Sequence, residues 1–180
     1  MSEDHMRKVM MTFARTCAMQ AWSAFYWFNK LFEEFPLAGA LEIGTAHGGT
    51  ASFFANYLPD RVVTVDQNDV RNSHTVELQR RLGVRMQTCD ALAPINVEIL
   101  MSQLQRPCLI FCDNGNKPLE FEIYAAQLRS GDVIAVHDNG SEFFADQEAA
   151  QAVAAKHGLV RWKRDELDAD KNLLAVWRKP

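Results

Sequence analysis

Short apolar runs, many of them rich in β-branched residues, alternate with longer segments of mixed polarity along most of the chain. The apolar runs predict five strands, at residues 40–43, 61–65, 84–88, 108–112 and 132–137. The segments that follow them predict five helices, at about residues 50–57, 73–82, 96–105, 119–128 and 145–157. Strands that alternate with helices form parallel βαβ units, so the pattern indicates a parallel sheet with helices on both faces.

The two ends of the chain depart from this alternation. Residues 6–35 are rich in helix formers and stop at Pro36, which predicts one or two opening helices. Residues 21–35 are apolar almost all round a helix, so we expect them to pack on the sheet, cover the substrate or form a subunit interface. Runs 159–164 and 172–180 predict an antiparallel hairpin at one sheet edge, because the residues between them leave no room for a helix.

These elements together predict an α/β fold. We expect a Rossmann-like, doubly wound and mostly parallel sheet of seven strands, with N-terminal helices and an antiparallel C-terminal hairpin strand. The chain has no repeat or linker, so we expect one domain over residues 1–180, with a helical segment at 1–36 and the core at 37–180.

Composition and charge narrow the function classes. With 19 basic and 23 acidic residues the formal net charge is -4, which argues against a nucleic-acid binder. The four cysteines lack the paired spacing of a zinc site and the density of a disulfide framework. No apolar run approaches the roughly 18 residues of a membrane span, and the chain starts unlike a signal sequence. We therefore expect a cytoplasmic protein that binds a small molecule, without nucleic acid or membrane as a partner.

A glycine-rich turn, LEIGTAHGG, follows the first predicted strand. In an open parallel sheet, ligands bind beyond the carboxyl ends of the strands, and glycines there let the backbone approach them. Asp66 ends the next strand 22 residues after Gly44, close to the roughly 20-residue offset at which an acid meets ribose hydroxyls. Asp90 ends the third strand, where it could meet an adenine amino group. Each acid alone is equally typical of a cap or turn, but Glu42, Asp66 and Asp90 together at one edge favour an adenosine ligand.

This combination resembles the class I S-adenosylmethionine (SAM)-dependent methyltransferases over about residues 37–180. The resemblance implies that Glu42 and the glycine turn hold the methionine end of SAM and that Asp66 holds the ribose. The residues implied for SAM binding are Glu42, Gly44, Thr45, His47, Gly48, Gly49, Asp66, Gln67, Asp90, Ala91 and Asp113.

Two other functions remain open for this turn. Its GxxxGG pattern departs from the GxGxxG of dinucleotide dehydrogenases, in which the middle glycine makes way for a pyrophosphate. An NAD-dependent oxidoreductase is therefore the second interpretation. The third is a non-catalytic module that binds SAM without a metal site.

A second group of acids follows the strands at 108–112 and 132–137. If these strands are adjacent, their ends lie about 4.8 Å apart, so Asp113, Asp138 and the Asn139 amide oxygen converge. Like charges this close need a cation, and an all-oxygen set suits Mg²⁺ or another divalent ion. The motifs DNGN and DNG, which contain these residues, are also common turn sequences.

The segments LIFCDNGNK and GDVIAVHDNG resemble metal-dependent O-methyltransferases of the catechol and caffeoyl-coenzyme A type, and also cephalosporin hydroxylase-like methyltransferases. The resemblance implies Asp113, Asp138 and Asn139 as metal ligands. It further implies Asp113 and Lys117 as catalytic residues, with Lys117 taking the proton of a metal-bound substrate hydroxyl. We accordingly expect metal-assisted O-methylation of a small hydroxylated molecule, such as a catechol-like phenol or a sugar-bearing natural product.

Two further expectations concern His137 and the acceptor pocket. Strand alternation places His137 on the opposite face from Asp138, so we interpret it as a packed or hydrogen-bonded histidine. Little sequence remains for substrate recognition, so we expect an open acceptor pocket or one that a second subunit completes. A homodimer through the N-terminal aromatic helix is the working hypothesis.

Overall fold

A seven-stranded sheet forms the centre of the fold in the computed structural model, which describes residues 11–170 and 173–180. The strands are β1 (Met11–Phe13), β2 (Thr16–Ala18), β3 (Gly39–Ile43), β4 (Val62–Asp66), β5 (Arg85–Thr88), β6 (Cys108–Cys112), β7 (Val133–Val136), β8 (Val160–Arg161) and β9 (Ala175–Arg178). The helices are α1 (Trp22–Glu34), α2 (Gly49–Tyr57), α3 (Ser73–Arg81), α4 (Pro94–Ser102), α5 (Lys117–Ala125), α6 (Glu148–Lys156) and α7 (Arg164–Asp170).

The strand order in the main sheet is β5-β4-β3-β6-β7-β9-β8. Strands β3 to β7 pair in parallel, and β9 pairs antiparallel with both β7 and β8. The prediction of a mostly parallel sheet with antiparallel C-terminal strands is confirmed. The order reverses at β3, whose neighbours are β4 and β6, and the crevice beyond such a reversal is where open sheets bind ligands.

The sheet is buried between two layers of helices. One face carries Leu41, Ile110 and Ile134 and packs on α4, α5 and α6. The opposite face packs on α1 and α2, where the Phe28 ring lies 5.1 Å from the Phe111 ring of β6, measured between centroids. Helix α1 therefore packs on the sheet, which was one of the three predicted roles of the aromatic run. In the described part of the chain, no helix is long and apolar enough to span a membrane.

The structure corrects the prediction for the N-terminal segment. Residues 6–10 of the predicted opening helices lie outside the described residues. Residues 11–18 form a hairpin of β1 and β2, not a helix. Both turn residues, Ala14 and Arg15, have positive φ angles, which is the backbone of a tight two-residue hairpin turn. Helix α1 begins only at Trp22.

The C-terminal prediction is right in its pairing and wrong in its connection. Strands β8 and β9 are antiparallel at the sheet edge, but α7 lies between them. This seven-residue helix carries Asp165 and Glu166 in its first turn, where carboxylates stabilise the exposed N–H groups of a helix start. The residues between the two runs therefore do have room for a short helix.

Candidate active site

The glycine turn after β3 passes close to two other parts of the backbone. Gly44 has a φ of +98°, and a Cβ atom there would lie 2.4 Å from the Asp113 carbonyl oxygen, so only glycine fits. Gly49 begins α2 against the N-terminal hairpin, since a Cβ on Gly49 would lie 2.4 Å from the Cys17 carbonyl oxygen. The turn is thereby fixed against the loop after β6 and against β2.

Glu42 is a buried acid at the end of β3, with 1% of its surface exposed. The Thr64 hydroxyl donates a hydrogen bond of 2.6 Å to its carboxyl group, and the Thr45 hydroxyl lies 2.6 Å from that of Thr64. Burial raises the pKa of Glu42 to about 8, against the opposing hydrogen bond from Thr64 and with the help of the Asp113 charge. A positively charged ligand group would relieve this penalty.

Asp66 joins the second strand end to the glycine turn. One carboxylate oxygen of Asp66 accepts the Ala46 N–H at 3.0 Å, and the side chain is half-buried. The neighbouring predicted SAM ligands Gln67 and His47 are exposed to solvent. The structure therefore brings the Asp66 carboxylate and the turn together, with two predicted ligands at their rim.

Asp90 and Ala91 lie in the loop after β5. The Asp90 carboxylate is exposed and accepts the Leu92 N–H at 2.9 Å, which is the local turn bond that short acidic side chains commonly make. Ala91 is buried, and its carbonyl oxygen accepts the Tyr124 hydroxyl at 2.7 Å. Their roles in binding adenine stay predictions.

Asp113 lies at the centre of a polar group at the ends of β6 and β7. The Gln20 amide donates a hydrogen bond of 2.6 Å to one Asp113 oxygen, and His137 Nδ1 lies 2.9 Å from the other. Candidate ligand atoms of Asp113, His137 and Asp138 all lie within 4.8 Å of one another. The predicted convergence of Asp113 and Asp138 is thus present, with His137 as a third member.

Lys117 places its ammonium group against the same acids. Its Nζ lies 3.0 Å from Asp138 Oδ2, 2.8 Å from Glu142 Oε2 and 4.0 Å from Asp113 Oδ1. Burial lowers the pKa of Lys117, but the contacts with Glu142, Asp113 and Asp138 outweigh it, so the pKa lies above its usual value. Lys117 is therefore held in its charged form in this arrangement.

Glu120 holds the loop that leads into Lys117. Its carboxylate is buried and accepts the backbone N–H groups of Asn114 and Asn116, at 3.2 and 3.1 Å. The pKa of Glu120 is raised to about 7, mainly by burial. Asn116 in turn caps α5, so the position of Lys117 at the helix start is fixed from both sides.

Asn139 was predicted to be a metal ligand, but its amide oxygen is used within the loop after β7. Its amide oxygen accepts the Ala145 N–H at 3.0 Å and so closes the loop after β7. As a ligand it would first have to give up this bond, because the loop needs a partner for that N–H. The amide oxygen of Asn139 is therefore not part of the polar group around Asp113 in this structure.

His137 is buried and hydrogen-bonded, as the sequence predicted, but in a different place, and Gln20 is a residue that the sequence interpretation missed. The expectation that His137 faces away from Asp138 is wrong: its Nδ1 lies 3.6 Å from Asp138 Oδ1. Asp138 has a φ of +56°, so strand alternation ends at Val136, as the turn sequence DNG could have indicated. Gln20 stands 93 positions from Asp113, and no local pattern predicts that contact.

Comparison with known proteins establishes the fold. No protein-family model matches the chain, and no curated protein matches its sequence. Ligand-free CmcI shares 14% identity at a TM-score of 0.70, over 94% of this chain and 76% of that chain. CmcI with Mg and SAM shares 14% identity at a TM-score of 0.69, over 93% of this chain and 76% of that chain. A candidate caffeoyl-CoA O-methyltransferase from Staphylococcus aureus shares 17% identity at a TM-score of 0.64, over 87% of this chain and 83% of that chain.

The fold of the chain thus resembles that of class I SAM-dependent methyltransferases of the CmcI and caffeoyl-CoA types, as its motifs predicted. These neighbours include an O-methyltransferase type, and one of them holds Mg and SAM. Identities of 14% and 17% establish a common fold, and the activity has to be argued from the residues of this chain.

Proposed function

We propose that this protein is a SAM-dependent methyltransferase that methylates a hydroxyl group of a small molecule. The observation that carries the proposal is the geometry beyond β3, where the glycine turn, the buried Glu42 and the Asp66 carboxylate meet at the reversal of strand order. Adenosine-containing ligands bind sheets of this kind at that crevice. The class I methyltransferase fold supports SAM as the ligand.

Charge favours SAM over NAD at this turn. SAM carries a sulfonium and an α-ammonium group, which suit an edge with Glu42, Asp66 and Asp113. A dinucleotide would place a doubly negative pyrophosphate near Asp66 and Asp113, and Ala46 stands where the GxGxxG turn has the glycine that makes way for it. A transferase therefore fits the site better than an NAD-dependent oxidoreductase.

The reaction needs alignment more than chemical activation. Bound SAM would supply an activated methyl group to the acceptor oxygen and would leave as S-adenosylhomocysteine, and the Asp113 carboxylate would accept the proton of the acceptor hydroxyl. Holding the nucleophile in line, about 3 Å from the methyl carbon, supplies much of the rate. The proposed roles of Asp113 and Lys117 are to orient the acceptor hydroxyl and to stabilise the negative charge that develops on its oxygen.

The acceptor has an apolar cavity available beside this group. A cavity of about 410 Å³ lies between α5 and α6, and it is lined by Leu119, Phe143 and Phe144 together with Glu142. Glu142 lines this cavity and also contacts the Lys117 ammonium, so it lies between the cavity and the polar group. A small hydroxylated molecule with an apolar or aromatic body fits this combination of surfaces.

The residues fit a divalent cation only in part. Asp113 and Asp138 would hold it, with His137 as the nearest third group, and the ion would lower the pKa of an acceptor hydroxyl. Two features oppose this assignment: Asn139 bonds Ala145, and the Lys117 ammonium already lies against Asp138. Metal assistance stays a prediction from the sequence, and no step above depends on it.

A homodimer through α1 remains part of the proposal. Trp22 and Tyr26 are 65% and 49% exposed, and Met19 just before the helix is 47% exposed. Trp22 and Tyr26 are four residues apart in α1, which places them on one side of the helix. Large apolar side chains grouped in this way are typical of subunit interfaces.

Binding of S-adenosylhomocysteine tests the proposed function. Calorimetric titration of the full chain should show one site per chain for S-adenosylhomocysteine and no binding of NADH. Asp66→Asn removes one of the two carboxylate acceptors for the ribose diol, so it should weaken binding roughly tenfold or more, about 1.4 kcal/mol. Asp165→Asn removes the same charge from the exposed start of α7 and should leave affinity unchanged. Binding of NADH without S-adenosylhomocysteine would refute the proposal.

A further inference from the structure

Lys117 occupies a position that is unfavourable for an ammonium group taken alone. It is the first residue of α5, where the exposed N–H groups of the helix start repel positive charge. Only 4% of its surface is exposed, so the ammonium has lost most of its hydration. A buried ammonium persists only where hydrogen bonds and opposite charges replace the lost water.

Three oxygen atoms replace that water at short range. Nζ donates to the Asn114 carbonyl oxygen at 2.8 Å and lies 3.0 Å from Asp138 and 2.8 Å from Glu142. The Asp138 side chain is 4% exposed, so this pair is shielded from solvent and strongly attractive. The Glu142 side chain is 56% exposed, so its contribution is weaker.

The ammonium also lies between acids from two neighbouring strands. Asp138 follows β7 and Asp113 follows β6, and the Lys117 Nζ is 3.0 and 4.0 Å from their nearest oxygens. A divalent ion held by Asp113 and Asp138 would lie roughly 2.0 to 2.6 Å from their oxygens. The ammonium, 3.0 Å from Asp138 Oδ2 and 4.0 Å from Asp113 Oδ1, would then lie close enough to repel it. The two cations would therefore compete for the same pair of acids.

The other predicted metal ligands, Asp113 and Asn139, already have hydrogen-bond partners within the chain. Both Asp113 oxygens already interact within the chain, one with Gln20 and one with His137. The Asn139 amide oxygen is bonded to the Ala145 N–H. A divalent ion would thus have to reorganise Lys117 and Asn139 and share Asp113, whereas the ammonium needs no change.

We propose that the Lys117 ammonium is the resident cation of this site and that it keeps divalent ions out. Its catalytic use, stabilising the negative charge on the acceptor oxygen, rests on the proposed function. Its occupancy of the cation position does not, because that can be measured without SAM or an acceptor.

Mn²⁺ is the probe that tests this inference. The full chain is treated with a chelator, the chelator is removed, and free Mn²⁺ is followed by electron paramagnetic resonance during titration. The wild-type chain should bind no stoichiometric Mn²⁺ up to roughly 1 mM, the weak end of protein sites for hard cations. Lys117→Met keeps the unbranched side chain up to the position of Cε and leaves Asp113, Asp138 and Glu142 without the ammonium. It should bind one Mn²⁺ at least about tenfold more tightly than wild type.

Two matched variants control for net charge and packing. Lys156→Met removes the same charge from the exposed end of α6 and should not gain a Mn²⁺ site. Lys117→Arg retains the positive charge and should also bind no Mn²⁺. If Lys117→Met fails to fold, Mn²⁺ should restore its thermal transition, because the ion replaces the missing charge.

The outcomes separate this inference from the proposed function. One tightly bound Mn²⁺ per wild-type chain, lost in Asp138→Asn, would overturn it in favour of a metal site. A Lys117→Met chain that gains no Mn²⁺ site, or that Mn²⁺ fails to refold, would also overturn it. Binding of S-adenosylhomocysteine is measured independently, so it can fail or succeed without changing these results.

Discussion

Replacing Glu42 with glutamine should change how the stability of the protein depends on pH. Glu42 is fully buried at the end of β3, and burial raises its pKa from 4.5 to about 8. Glutamine has the same shape and keeps an acceptor for the Thr64 hydroxyl, but it carries no titratable proton. The substitution therefore removes one buried ionisation with little change in packing.

The sign and size of this pH dependence follow from the pKa of Glu42 in the unfolded chain, 4.5, and in the folded chain, about 8. Below pH 4.5 the carboxyl group is protonated in both the folded and the unfolded chain, so its ionisation does not change the free energy of unfolding. Above pH 4.5 the unfolded chain releases the proton first, so the stability of the folded state falls until the pH passes about 8. The whole fall is about 5 kcal/mol, and about 3 kcal/mol of it lies between pH 5.5 and 7.5.

Urea unfolding at pH 5.5 and 7.5 measures this difference. The free energy of unfolding of wild type should fall by about 3 kcal/mol more than that of Glu42→Gln over this interval, since all other groups titrate alike in both proteins. Glu98→Gln, an exposed acid of α4, serves as the control and should follow wild type. Equal pH slopes for wild type and Glu42→Gln would refute the assignment of a raised pKa to Glu42.

Ligand binding gives a second measurement on the same group. Under the proposed function, the α-ammonium of the cofactor approaches Glu42, which lowers the pKa of the carboxyl group. Binding of S-adenosylhomocysteine at pH 7 should then release close to one proton in wild type and none in Glu42→Gln. Calorimetry in buffers of different ionisation enthalpy counts that proton, and equal proton release in both proteins would contradict the contact.

Two further predictions concern the glycine turn and α1. Gly44→Ala should lower the free energy of unfolding in urea by on the order of 3 kcal/mol, because its Cβ would meet the Asp113 carbonyl at a φ of +98°. Gly115→Ala is the control: its Cβ would meet open space, so the free energy of unfolding should change by less than about 0.5 kcal/mol. Trp22→Ser should shift the mass measured by light scattering at micromolar concentration from two chains to one. A wild-type mass of one chain would exclude the α1 dimer.

The parallel part of the fold could be predicted because its signal is local. Buried strands such as β6 are continuous apolar runs, and their predicted and observed bounds coincide at 108–112. The hairpin β1–β2 has no such signal. Its turn consists of Ala14 and Arg15, without the Gly or Asn that usually marks positive φ angles, and its residues are acceptable in a helix.

The site shows the same division between local and distant causes. The approach of Asp113 and Asp138 follows from topology, since the carboxyl ends of adjacent parallel strands meet at one edge. The contact of Gln20 with Asp113 depends on how the N-terminal segment packs on the finished sheet. His137 was misplaced because a period-two rule was carried one residue beyond the strand, into the left-handed conformation of Asp138.

The sequence predicts that a positive charge must lie beside Asp113 and Asp138, but it does not predict that Lys117 supplies this charge. Two acids at neighbouring strand ends require a positive charge, and this much follows from the spacing alone. Whether an ion or a side chain supplies the charge depends on the Asn114 carbonyl, on Glu142 from another loop and on the cap that fixes the start of α5. Because a lysine held as a cation is not free to accept a proton, the same geometry favours an electrostatic role for Lys117 over the predicted role as a base.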